Sequence, residues 1–493
     1  MSSYMNESSS VAAAYEHHHE AAGLEARLSD GQIIGLALAS QTPAVALATV
    51  PFLLVVTAGN GSWLGALLAA VATGCVGAAV ITFARRYVVT GSLYSYIAYV
   101  FGPWARLLVG ASLLLGYVAL IAGVLMLTAT FAGSFLIAVG FGWGLSAGSM
   151  TVLATVAMLL AAGLAYRGLD ASVRTAVILT VATVPVVLYI SVAAAINTGL
   201  DLGAQLSLNG ASVSGIFQGV AAAAVFLVAF ESSAALAAET RNSRRNVPVA
   251  VMSIPVVLGA AYLMMAVLQV PALLASAEAI NAGGSPAAAL VEQAGLGAPL
   301  ATATDLILAI ANLASLIAFV NYGSRFVATL ATDGLLPKSA AHVNKRFKSP
   351  DSAILSLSAL ALASLLVLVW LYPDELLTKV FPAISTLTVY MWVIPWALIC
   401  VGAIVLVVRE RRARLGIVTT AAFGATAVAW IYVNGLVNAP ASPVDAMSYV
   451  YLIATGALFV VFYLLDWRSR RPRGRRQGIE TGDDNRRSPA TWK

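Results

Sequence analysis

The chain has 493 residues, 60% of them hydrophobic and only 10% charged, against the roughly 25% charged that a soluble domain carries. Its apolar runs are about 20 residues long, enough to cross a ~30 Å hydrocarbon core as helices, which excludes a water-soluble globule. The net charge is +6, but the basic residues sit in short clusters between those runs and form no single face, so no nucleic-acid partner is expected.

In chain order, residues 1–30 are polar and rich in Ser, Ala and Glu, and read as a disordered cytoplasmic tail. No basic stretch followed by an apolar one occurs there, so no cleavable signal peptide is expected. His17, His18 and His19 lie in this tail without a second ligand set and read as incidental, with no metal site. Apolar runs then place twelve spans near 32–57, 62–83, 105–137, 148–166, 172–197, 212–238, 247–270, 301–330, 352–372, 377–408, 414–435 and 447–466. Between the second and third, residues 87–104 carry Tyr87, Tyr94, Tyr96, Tyr99, Phe101 and Trp104 and read as an interfacial helix in the headgroup layer. The 271–300 gap is long enough for a short lid helix. Residues 468–493 form a basic tail whose Arg468, Arg470, Arg471, Arg473, Arg475 and Arg476 either grip anionic lipid headgroups or only anchor the topology. Cys75 and Cys400 fall in separate apolar runs and read as small core residues.

With both termini cytoplasmic, 27 of the 28 basic residues fall on the inner side and only Lys379 lies outside. The opposite orientation would place nearly all of this positive charge externally, against the insertion bias of Lys and Arg.

Polar and helix-breaking residues at bilayer depth are costly, so function is sought there first. In the first span, Ala39-Ser40-Gln41-Thr42-Pro43 interrupts the helix with three hydrogen-bonding side chains and a proline. In the sixth, Ala229-Phe230-Glu231-Ser232-Ser233 places a carboxylate and two hydroxyls in mid-span. These positions correspond if residues 31–200 and 210–408 are two five-helix halves, which an odd number of spans forces to be inverted. Paired interruptions in inverted halves mark a midplane binding site in transporters: half-helix N-termini face an anionic group and freed carbonyls face a cation. A zwitterion such as an amino acid fits.

Several stretches resemble permeases of the amino acid, polyamine and organocation (APC) superfamily. They are Phe230-Glu231-Ser232 with Glu239-Thr240-Arg241-Asn242 and Arg244-Arg245-Asn246-Val247-Pro248, Arg325 with Asp333-Gly334-Leu335-Leu336-Pro337 and Ser349-Pro350, and Gly91-Ser92-Leu93-Tyr94 with Phe101-Gly102-Pro103. The resemblance covers roughly 30–408. It implies an all-α membrane protein of twelve transmembrane helices with a LeuT-type five-plus-five inverted repeat, residues 409–467 adding two further helices. It also implies rocking of spans one, two, six and seven against three, four, eight and nine. The family's first helix usually breaks at a Gly-small-Gly sequence, where this chain has Ala39-Ser40-Gln41-Thr42-Pro43. Proton-coupled relatives often carry a lysine in the fifth helix, where Thr183 stands here.

Glu231 is a candidate to titrate during transport or to contact a substrate ammonium, and equally to cap broken backbone. Ser40, Gln41 and Thr42 are candidate substrate contacts or partners of the preceding turn. Asn312 and Ser315 share a helix face with Asp305, which is near enough to the outer interface to read as a solvated carboxylate; Ser315 matches a position where sodium-coupled relatives use hydroxyls, and interhelical packing is its other reading. Phe226 and Phe230, spaced i, i+4, are a candidate gate, and Tyr117 and Tyr390 candidate pocket walls. An intramembrane enzyme is the rival class. Gly144-Leu145-Ser146-Ala147-Gly148 spells a nucleophile elbow, yet it falls in an external loop while all four histidines are expected inside, and no HExxH or P-loop occurs. The expected function is therefore a plasma-membrane secondary transporter of an amino acid or related amine, coupled to protons or sodium or working by exchange, without cofactor. The alternatives are a polyamine permease and a non-transporting membrane sensor. In a chain whose two cysteines are replaced by alanine, Asn209→Cys should label with an impermeant maleimide on intact cells, whereas Lys345→Cys should label only after permeabilisation. The reverse pattern would invert the topology.

Overall fold

Prolines, glycines and short polar stretches decide where the apolar runs bend. The structure, a computed structural model, describes residues 28–470 except 282–284, 374, 412–414 and 439–440. The expectations for residues 1–27, the histidine tract included, and for the tail from 471 onward lie outside the described residues.

In chain order the principal helices are α1 Asp30–Ser40, α2 Pro43–Ala58, α3 Ser62–Ala84, α4 Leu93–Phe101, α5 Pro103–Ala138, α6 Ala147–Tyr166, α7 Leu169–Thr198, α8 Val213–Ala224, α9 Ser243–Leu268, α10 Pro286–Gln293, α11 Ala298–Thr332, α12 Asp351–Leu371, α13 Phe381–Arg409, α14 Leu415–Val437 and α15 Met447–Arg470. Among the described residues, ten helical stretches are long and apolar enough to cross a membrane, and eleven if the bent run after Val213 is one span. One of the ten, Pro43–Ala84, doubles back: it turns at Gly59–Gly61, where Gly59 has φ +53°, and Gly65 backs directly onto Leu54. Eleven residues of continuous helix would hold those two positions about 16 Å apart. Helices α5 and α11 pack on each other and are the most buried of the long helices, whereas α14 and α15 are the least.

Two expectations are corrected. Tyr94 and Tyr96 of the aromatic stretch before α5 face protein and not headgroups: α4 packs on α5 and α13, with Tyr94, Ser95, Tyr96 and Ile97 fully buried. The Tyr94 hydroxyl donates to Asp333 Oδ2, and Tyr96 stacks on Phe83 at 5.8 Å. Aromatic spacing marks a helix face to be covered, and here protein covers it. Asp305 is likewise buried, on the helix against which α10 packs. The 271–300 region folds as three short helices, Val270–Ala275, Ala277–Asn281 and α10, the last of which packs on α2, α7 and α11.

Prolines inside helices free the carbonyl four residues back, a donor-starved group that nothing in hydrocarbon can satisfy. Pro51 frees the Leu47 carbonyl, which accepts from Gln269 Nε2 at 2.9 Å. The same amide group donates to Ser191 Oγ at 2.8 Å, joining α2 and α7 through the residue that ends α9. Pro395 frees the Met391 carbonyl, which accepts from Ser112 Oγ of α5 at 2.6 Å. Since stranding a buried acceptor costs about 1–3 kcal/mol, Gln269→Leu and Ser112→Ala should each lower the thermal midpoint of the detergent-solubilised protein. Unchanged midpoints would show that another donor serves these carbonyls.

Candidate functional site

Two breaks lie side by side at the centre of the bundle. The first separates α1 from α2. Ser40 ends α1, Thr42 adopts a left-handed conformation with φ +44°, and Pro43 opens α2. Proline suits that position because its fixed φ matches a helix start and its missing N–H would be unpaired anyway. The second follows α8: a 3₁₀ turn at Val225–Leu227, extended backbone at Val228, Ala229 at φ +59°, then a 3₁₀ run from Phe230 to Glu239. Left-handed backbone at Thr42 and Ala229 costs about 1–2 kcal/mol each outside glycine, so the surrounding packing must hold it.

The breaks are tied to each other and to α11. With its amide assigned so that the nitrogen, and not the oxygen, faces the two carbonyls of the second break, the Gln41 side chain donates to Phe226 O at 3.2 Å and Val228 O at 3.3 Å. Ser315 Oγ of α11 donates to the Ser40 carbonyl at 2.5 Å. Carbonyls released where the helices stop thus find side-chain donors, the same solution found at Pro51 and Pro395.

Beside the breaks is a cavity. Its polar wall is formed by Ser40, Gln41, Thr42, Asn312, Ser315, Ser385 and Thr388, and its apolar wall by Leu120, Val124, Leu127, Val225, Phe226, Val228, Phe319 and Phe381. No charged side chain lines it. Asn312 is fully buried, and neither its amide nitrogen nor its oxygen is hydrogen-bonded within the described residues. A buried amide left open on both ends at a cavity wall is an acceptor and a donor available to a ligand.

Of the residues singled out in the sequence, Ser40, Gln41, Thr42, Phe226, Asn312 and Ser315 line this cavity, while Ala39, Pro43, Ala229, Phe230, Glu231, Ser232 and Tyr117 lie behind its wall. Phe226 and Phe230 do not act as an i, i+4 pair. The break between them turns Phe230 away to pack on Trp396, ring centroids 5.7 Å apart. Thr183, on α7, donates to the Leu179 carbonyl at 2.8 Å and is not part of the lining. Tyr390 packs with Tyr432 and Tyr451 outside the cavity.

Glu231 is almost completely buried, at 1% exposure, and its carboxylate is held in a clamp. Oε1 accepts from Trp392 Nε1 at 2.8 Å and Oε2 from Trp396 Nε1 at 3.0 Å. The two indoles lie one turn apart on α13, on either side of Pro395. The Tyr117 hydroxyl donates to Ser232 Oγ at 2.8 Å, and the Tyr117 ring meets Trp392 edge-on at 5.4 Å. Trp392 reaches this place only because residue 116 is glycine: a Cβ there would come within 2.6 Å of the indole. Sequence reasoning missed Trp392, Trp396, Ser385 and Thr388. The i, i+4 indoles flanking a proline were the one signal available.

The sequence matches the amino acid permease family over residues 31–462. It is 28% identical over 353 residues to the branched-chain amino acid permease of Lactococcus lactis subsp. cremoris, covering 68% of this chain and 73% of that protein. Uncharacterized transporters of Mycobacterium tuberculosis and Mycobacterium bovis are each 28% identical over 314 residues, covering 62% of this chain and 66% of theirs.

A carboxylate held by two indole donors should be energetically coupled to them. In a double-mutant cycle of Glu231→Gln with Trp392→Phe, thermal unfolding should show a coupling of about 1–3 kcal/mol. Additive effects would mean that the clamp contributes nothing.

Proposed function

The chain belongs to the amino acid permease family of membrane transporters, and on that footing we propose that it carries a neutral amino acid with an apolar side chain. The observation that carries this reading is the cavity at the paired breaks, with hydroxyls and amides on one wall, aliphatic and aromatic side chains on the other and no charge between them. A zwitterion needs local dipoles and no net countercharge. In this reading the amides of Ala44 and Val45, which open α2 and have no carbonyl in the preceding turn to bond, receive the substrate carboxylate. Asn312 Oδ1 and the hydroxyls of Ser385 and Thr388 are acceptors for the ammonium. The apolar wall takes the side chain.

A polyamine would require carboxylates in the lining. Glu231, the obvious candidate, directs both oxygens to the tryptophans of α13, so the substrate-binding role read for it from sequence passes to Asn312. In this reading Glu231, Ser232 and Tyr117 are positioning residues that hold the second break against α13 and α5. The relative from Lactococcus lactis, by its name a permease of branched-chain amino acids, agrees with an apolar substrate.

Transport follows as alternating access in the plasma membrane, with twelve crossings, two inverted five-helix halves and both termini inside. The Pro43–Ala84 hairpin and the bent run at α8 supply the two crossings beyond those that length and composition alone single out. The lysine and arginine distribution supports the orientation. The cycle is either driven by a proton or sodium gradient or works by exchange.

Counterflow in proteoliposomes tests the reading. Liposomes preloaded with leucine, isoleucine or valine should accumulate labelled leucine, those preloaded with putrescine or spermidine should not, and imposed proton and sodium gradients identify the coupling ion. Asn312→Ala should raise KM about tenfold, the loss of roughly 1.4 kcal/mol, with kcat little changed. Counterflow with polyamines but not with apolar amino acids would overturn the assignment.

A further inference from the structure

Away from the cavity, α3 and α9 run antiparallel and in close contact. Gly259 lies against Ala70 and Gly74 against Pro255. Toward the end of α3 and the start of α9 the contact opens into a shallow groove. Its floor is apolar: Val249 and Val256 are 47% and 59% exposed, and Met252 lies between them. Its mouth carries Arg85, Arg244 and Arg245, all exposed, and among the described residues none of the three side chains has a carboxylate partner. Three other arginines are ion-paired: Arg86 with Glu410, Arg106 with Asp333 and Asp466, Arg325 with Glu239. The mouth also receives the first turn of α9, which starts after Asn242 at φ +47° with no side-chain cap; its open amides add to the positive end.

Three guanidiniums with no carboxylate partner among the described residues, above an apolar trough at the end of a membrane helix, match one kind of molecule: an anion carrying a long apolar chain. We propose that this groove is a binding site for an anionic phospholipid, its phosphate held by Arg85, Arg244 and Arg245 and one acyl chain lying along Val249, Met252 and Val256. The assignment stands whichever solute the cavity carries. With the orientation proposed above, the site draws on the inner leaflet. Both walls belong to helices that the family resemblance assigns to the moving part, so the lipid travels with it.

Purified full-length protein, mixed in detergent with phosphatidylglycerol or phosphatidylcholine, can be examined by native mass spectrometry for retained lipid. The wild type should retain phosphatidylglycerol at least tenfold better. The Arg85→Gln, Arg244→Gln, Arg245→Gln triple variant should lose about a hundredfold in that affinity, roughly fivefold per charge, while phosphatidylcholine retention stays level. The triple lysine variant should keep most of the preference, and because it preserves the insertion bias it separates loss of the site from misfolding. Val249→Trp, which blocks the trough and leaves the charges, should cost about tenfold. Equal retention of both lipids by the wild type, or an undiminished preference in the glutamine and tryptophan variants, overturns the proposal. So does phosphatidylglycerol binding that appears only after removal of residues 1–25, since the groove's occupant would then be the chain's own acidic segment.

Discussion

No backbone carbonyl can be left unpaired in hydrocarbon, and the structure is organised by how this chain meets that demand after breaking its own helices. At Pro51, at Pro395 and at the two central breaks the donor is a named side chain. Gln269 serves the carbonyl freed by Pro51, Ser112 the one freed by Pro395, Ser315 the Ser40 carbonyl at the end of α1, and Gln41 the carbonyls of Phe226 and Val228. All of these donors come from a different segment than the group they serve. The polar side chains that look out of place in apolar runs are thus paired with breaks elsewhere, and each pair fixes two helices in register. Because a buried polar atom without its partner is so costly, the interruptions locate helices relative to one another more sharply than apolar packing does.

The cavity and the carboxylate clamp divide the work between them. The cavity is uncharged and lined by side chains from the first break, the second break, α5, α11 and α13. The clamp sits behind it, joining the second break to α13 through two indoles and to α5 through Tyr117. With the carboxyl group lodged in the wall, the cavity itself presents only uncharged groups. The clamp also binds the strained backbone at Ala229 to helices that carry no strain.

That the chain is a series of apolar helices, and that the first and sixth runs are interrupted, was legible in the sequence, since hydropathy and proline act locally. So were the residues of the first break: Ser40, Gln41 and Thr42 are polar where the surroundings are not, and they line the cavity. What was illegible is tertiary. Glu231 announces itself as a buried carboxylate, but only the fold supplies Trp392 and Trp396, 161 and 165 residues away. The i, i+4 spacing of Phe226 and Phe230 misled because it assumes a continuous helix, and the backbone reverses its handedness between them at Ala229. The aromatic stretch before α5 misled for a related reason: a helix face rich in tyrosine needs cover, and composition does not say whether lipid or protein provides it. Ser385 and Thr388 carry no signal at all, being ordinary membrane-helix hydroxyls until α13 is placed beside the breaks.

The Arg325–Glu239 pair has a consequence of its own. Its side chains are 1% and 5% exposed, and the guanidinium meets both carboxylate oxygens and the Asn321 carbonyl. Directly beside it the chain's first described residue, Leu28, is laced into the backbone, donating to the Glu239 carbonyl while its own carbonyl accepts from Arg241. Charges this deep lie beyond the reach of dissolved ions, so salt does not loosen them, and parting them without compensation costs about 3–5 kcal/mol. That end of the molecule is therefore latched, and the latch includes the stretch just ahead of the first helix. Whatever rehydrates or repositions that stretch therefore reaches the buried ion pair through the backbone beside it, much as a bolt can be drawn without touching the door.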